Sequence, residues 1–87
     1  MLKEKLYIDE EEFNKKIGCI IARHRSKARM TRVEFSEKIG VSAYQVKKYE
    51  SGINSVSLYR LYLCAQALDR QLSELIPDIE KRASNES

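Results

Sequence analysis

One arrangement of apolar and polar residues recurs four times along the chain: an apolar residue, a side chain able to cap a helix, then an apolar residue four positions after the cap. Ile8, Asp9 and Phe13 form the first set, with Glu12 in the capping-box position. Met30, Thr31 and Phe35 form the second, and Glu34 completes its box. Val41, Ser42 and Val46 form the third, with Gln45 in the box position, and Val56, Ser57 and Leu61 the fourth. Each set predicts a helix start, because the cap satisfies a free backbone N–H while the flanking apolar pair fixes the entry of the chain. The first helix runs to about Lys27, with Phe13, Ile17, Ile20, Ile21 and His24 on one buried stripe. Gly40 and Gly52 stop the second and third, since glycine readily takes the left-handed conformation that ends a helix. The fourth reaches about Leu68, with Leu58, Leu61, Cys64, Ala65 and Leu68 facing inward, and a short fifth around Leu72 to Ile76 stops near Pro77. No segment alternates strictly as a half-buried strand does, so the expected fold is all-α with about five helices.

Length and composition narrow the reading further. The 87 residues suffice for one small domain, leaving no room for a separate ligand-sensing unit. A chain with no Trp and 2 Phe builds a modest core, which makes a homodimer a reasonable expectation. No run approaches the roughly 18 apolar residues of a membrane span, and Met1 to Glu12 lacks the basic start and apolar middle of a secretory signal, so the expected location is the cytoplasm. Cys19 and Cys64 lack metal-ligand spacing and read as reduced structural thiols. With no Gly-rich phosphate loop, no metal cluster and no cysteine paired by motif with His24, neither an enzyme, a cofactor nor a metal is expected.

Charge is distributed unevenly. Residues 13–52 hold ten basic and three acidic residues, a net +7, against −3 over 1–12 and −1 over 53–87. Such a concentration is the footprint of a face that binds a polyanion. The short connection through Gly40 also sets the third helix roughly perpendicular to the second, a helix-turn-helix geometry.

The stretch Ile17 to Ile76, about 60 of the 87 residues, resembles the lambda repressor-like, Cro-type helix-turn-helix family, often called XRE-type transcriptional regulators. Thr31 to Gly52, with Gly40, Ser42, Val46, Glu50 and Gly52 in register, is similar to that family's core signature, and Ser57 to Leu68 to its fourth helix. The resemblance implies a recognition helix in the major groove, with Ala43, Tyr44 and Lys48 facing bases and Gln45 and Lys47 close by. Lys48 suits guanine O6 and N7, Gln45 suits adenine, and Ala43 suits a thymine methyl. Thr31 and Arg32, at the start of the second helix, are candidate phosphate contacts, as are Asn54, Ser55 and Ser57 in the family's second backbone-contacting region. It further implies a partly buried ion pair between Arg25 and Glu50. Two positions depart from the family: Arg29 stands where glycine is common, so that turn differs or Arg29 is strained, and His24 replaces an apolar residue.

Three segments are expected: an acidic arm over 1–12, a DNA-binding domain over 13–76 and a tail over 77–87 in which Arg82 to Ser87 is frayed. The expected function is a sequence-specific DNA-binding regulator that represses by occupying an operator as a dimer. The alternative is an antitoxin-like or adaptor module whose main partner is a protein. Tyr59, Tyr62 and Leu63, beside Ile76, project from the fourth helix where a monomer favours charge, and form the candidate dimer interface, with the Leu2 to Ile8 arm next in line.

Overall fold

All four expected caps are made, and they set where the chain turns. In the structure, a computed structural model that describes residues 8–78, Asp9 Oδ1 accepts from the Glu12 N–H at 2.8 Å and opens α1 (Glu10–Lys27). Thr31 Oγ1 accepts from Glu34 N–H at 3.0 Å while Glu34 Oε1 accepts from Thr31 N–H at 2.9 Å, a complete capping box for α2 (Arg32–Ile39). Ser42 and Ser57 cap α3 (Ala43–Ser51) and α4 (Leu58–Leu68) in the same manner, at 3.0 and 3.1 Å. Gln45 does not close a box with Ser42: its side chain turns instead to Asn54. The Leu2 to Ile8 arm up to Tyr7, and the segment from Ile79 through the Arg82 to Ser87 tail, lie outside the described residues.

Gly40 and Gly52 close α2 and α3 at φ 74° and 80°, as their sequence positions require. Two other turns use the same region without glycine. Asp69 ends α4 at φ 57°, where a short polar side chain is tolerated, and Arg29 takes φ 59° in the turn after α1. Of the two outcomes open for Arg29, the strained backbone is the one observed.

The helices enclose one core in which Ile21, Phe35, Ile39, Val46, Cys64 and Leu75 are fully buried, each element contributing at least one of them. Burial pushes the Cys64 thiol up to about 12, so it stays neutral and serves as packing. Among the described residues there is no strand, and no helix is long and apolar enough to cross a membrane. The all-helical architecture therefore stands, with four α-helices among the described residues where about five helices were expected. Leu72–Leu75 forms a single 3₁₀ turn, because Ile76 must be extended ahead of Pro77 and four residues cannot complete an α-helical nucleus.

Two residues of α4 exchange the places expected for them. Leu58 is 70% exposed, since Val56 ahead of the cap already packs against the core and the inward stripe begins with Leu61. Leu63, expected outside, is half-buried against the core, because α4 is flanked by α1, α2 and the 3₁₀ turn.

Gly18 has a role that helical spacing does not reveal. A Cβ there would lie 2.6 Å from the carbonyl oxygen of Glu50, so α1 and α3 cross backbone to backbone at this point. Gly18→Ala is expected to cost about 3 kcal/mol by forcing the two helices apart. Arg29→Gly, by contrast, should raise stability by about 1 kcal/mol through relief of the left-handed strain. Urea denaturation followed by circular dichroism measures both, and equal effects of the two changes would contradict this account.

Candidate nucleic-acid interface

α3 is held by its buried side and offers the other. Val46, Tyr49 and Glu50 face inward, whereas Tyr44 is 67% exposed and Lys47 is exposed beside it. Helical spacing places Tyr44, Gln45 and Lys48 together on one outer flank, while Ala43 and Lys47 share the other. The Lys48 ammonium lies 4.7 Å from the centroid of the Tyr44 ring, a cation–π contact that gathers charge and aromatic surface at the middle of the helix. All five candidate base-reading residues therefore stand on one short helix, in two neighbouring groups.

The inner side of α3 ends in an ionic cluster. Glu50, whose side chain is only 4% exposed, accepts from Arg25 Nε at 2.6 Å and from Arg25 Nη2 at 3.1 Å. Arg25 also donates from Nη1 to the Met30 carbonyl at 2.7 Å, tying the turn after α1 to the same group. This two-pronged bond raises the Arg25 pKa above its already high ordinary value, so the guanidinium stays charged. A third partner joins: Arg32 Nε donates to Glu50 Oε1 at 3.0 Å with its side chain 47% exposed. Arg32, a candidate phosphate contact, is thus held by the same carboxylate that anchors α3, with half of its surface still presented to solvent.

The opposite edge of α3 is tied to the loop before α4. Gln45 Nε2 donates to Asn54 Oδ1 at 3.1 Å. Ser55 Oγ accepts from Asn14 Nδ2 at 3.0 Å and donates to Glu10 Oε2 at 3.2 Å, so its proton is already committed to an acidic side chain at the start of α1. Thr31 and Ser57 use their oxygens as cap acceptors, which leaves each hydroxyl proton free to donate to a phosphate. The phosphate candidates thus divide by availability: Thr31, Arg32 and Ser57 retain donors, whereas Ser55 and Asn54 are engaged within the chain.

A helix-turn-helix family model matches residues 21–75. The chain belongs to this family, in its XRE-type branch. Over 52 residues it is 38% identical to an uncharacterized HTH-type transcriptional regulator of Rickettsia conorii; the match covers 60% of this chain and 42% of that protein, so the chain spans less than half of its relative's length. Its fold is similar to that of the restriction-modification controller protein C.AhdI of Aeromonas hydrophila, with a TM-score of 0.69 and 26% identity over 71% of this chain and 94% of the other. It is likewise similar to the DNA-binding domain of BldD, with a TM-score of 0.70 and 26% identity over 77% and 97% of the two chains.

Several parts of this helix-turn-helix unit escape sequence reasoning. Arg60 donates from Nη1 to the Ile39 carbonyl at 3.2 Å, satisfying the end of α2 from the first turn of α4, a bond across 21 residues that no local pattern announces. Leu58, Tyr59, Tyr62 and Ile76 are exposed, so the apolar outer surface of α4 exists with Leu58 in the place assigned to Leu63. His24 lies in a shallow cavity with Lys27, Ala28, Leu68 and Arg70. Its pKa is lowered, first by burial and then by Arg70, Arg23 and Lys27. Among the described residues no group of three His, Cys, Asp or Glu is placed to hold a metal ion.

Arg25→Ala and Glu50→Ala are each expected to lower stability by about 3–5 kcal/mol, because each strips a buried charge of its main partner. The double mutant should lose less than the two single losses added together. Arg32→Ala, at a half-exposed arginine, should cost about 1 kcal/mol or less. A double-mutant cycle by chemical denaturation tests the set, and additive small losses would rule out the cluster as an anchor.

Proposed function

We propose that the chain is a sequence-specific, DNA-binding transcriptional regulator of the cytoplasm, with residues 13–76 as its DNA-binding unit, and that it represses by occupying an operator as a homodimer. The observation that carries this reading is the placement of Tyr44, Gln45 and Lys48 on one outer flank of α3, with Arg32 anchored to Glu50 and Asn54 bonded to Gln45. A groove-reading helix requires this: donors and acceptors for base edges in the middle, and cationic or hydroxyl donors for phosphates at the margins. The net +7 over residues 13–52 supplies the long-range attraction. Similarity to a transcriptional regulator and to a DNA-binding domain supports the same assignment.

Lys48 supplies donors for guanine, Gln45 a donor and an acceptor for adenine, and Ala43 a methyl surface for thymine, with Tyr44 and Lys47 beside them. Arg32, Thr31 and Ser57 hold the backbone. The homodimer is supported by the exposed Leu58, Tyr59, Tyr62 and Ile76, since a second copy placed there would cover the patch, and operator half-sites about 34 Å apart call for two copies of the reading helix.

With sites selected from random duplex DNA, Lys48→Ala and Gln45→Ala should each relax preference at defined base positions by about 1–3 kcal/mol. Arg32→Ala should weaken every sequence alike and reduce the salt slope by about 1. Equal losses on selected and random DNA for all three would overturn these roles, and a DNA shift seen only at low salt without preference would favour a protein-binding adaptor instead. Tyr59→Lys with Tyr62→Lys should give a folded monomer by analytical ultracentrifugation and a collapse of operator affinity; a persistent dimer would move the interface elsewhere.

A further inference from the structure

We infer that Asn54 is a specificity-determining positioning residue: by accepting from Gln45 Nε2 at 3.1 Å it fixes which end of the Gln45 amide meets the DNA, and so restricts that side chain to adenine. This rests on the reading of α3 as the base-reading helix.

A glutamine side chain is an ambiguous reader. Its amide carries two donor hydrogens on nitrogen and an acceptor oxygen, and rotation about the last torsion exchanges the two ends. A freely turning amide can donate to guanine O6 or N7, accept from cytosine N4, donate to thymine O4, or pair with adenine through both ends. Committing one N–H internally removes that freedom. With Nε2 turned toward Asn54, the second N–H and Oε1 remain as one donor beside one acceptor in a set order, which matches the adjacent N7 acceptor and N6 donor of adenine.

The fixation works only if Asn54 is itself fixed, and its surroundings are built for that. Gly52, at φ 80°, turns the chain out of α3. The Gly52 N–H then donates to the Tyr49 carbonyl at 3.1 Å and the Ile53 N–H to the Lys48 carbonyl at 3.0 Å, so the loop is held by the end of the helix it serves. On the following side Ser55 is held by both Asn14 and Glu10 of α1. Asn54 lies between these two anchors, and both it and Gln45 are half-buried. Ordering the amide before DNA arrives also removes part of the entropy that an exposed glutamine would lose on binding.

The test uses the full chain and the duplex it selects from a random-sequence pool, together with that duplex carrying each alternative base at every position. Gln45→Ala identifies the position that Gln45 reads. Asn54→Ala is expected to reduce adenine preference at that same position from roughly 5- to 100-fold to within about three-fold, leaving the other positions and the salt slope unchanged. Asn54→Asp keeps an acceptor in place and adds a negative charge near phosphate, so it should lower overall affinity while retaining the adenine preference. If Asn54→Ala fails to fold by circular dichroism, Asn54→Asp and Asn54→Ser carry the comparison. A uniform loss across all positions in Asn54→Ala would make Asn54 an ordinary backbone contact and overturn the inference. A Gln45→Ala variant with an unchanged base profile would instead refute the base-reading role of Gln45, and the inference with it.

Discussion

The rest of the domain depends on a buried carboxylate. Glu50 sits at the end of the helix that faces outward, with its side chain almost wholly removed from water, and such a group is tolerable only where fixed donors replace the lost hydration. Arg25 from α1 supplies two donors and Arg32 from α2 a third, so one side chain relates three helices. The backbone contact at Gly18 brings α1 and α3 close enough for this to happen, and Arg25's further bond to the Met30 carbonyl extends the restraint into the turn that leads to α2. Orientation of the outward helix is therefore a consequence of satisfying one internal charge.

Once α3 is fixed, the chemistry on its outer side is a matter of what each side chain still has to offer. Hydroxyls that cap helices accept through oxygen and keep a proton to give, so Thr31 and Ser57 each retain a donor beyond the cap. Ser55 has no such reserve, being engaged by Asn14 and Glu10. Arg32 lies between these cases: its Nε belongs to the ionic cluster, while its exposed half carries charge to the surface. A phosphate there would meet a guanidinium already held in place, which lowers the entropy lost on contact.

The turns show a different compromise. Gly40 and Gly52 adopt left-handed backbone without penalty, and both flank the outward helix, where its start and end must be sharply defined. Arg29 accepts strain in the corresponding turn after α1. That turn is also where Met30 receives the Arg25 bond, so the conformation is paid for by the cluster it completes.

Much of this was legible in the chain because it is local. Capping side chains, the apolar residues that flank them and the glycines after α2 and α3 act over three or four residues, so the four helix starts follow from sequence alone, as does the concentration of positive charge over residues 13–52. The family register also anticipated that Arg25 and Glu50 meet. What depended on distant packing was not legible. Gly18 looks like any helical glycine until α3 crosses over it, and Arg60 like a surface cation until the end of α2 lies within reach. Leu58 and Leu63 carry the same side chain, and only the elements around α4 decide which is covered. Likewise Gln45 satisfied the pattern of a capping box, yet its amide went to Asn54, because the folded loop offered an acceptor that the isolated helix lacks. Local hydrogen bonds and steric limits determine where helices begin and end, whereas the partners of long side chains are set by which surfaces the fold brings together.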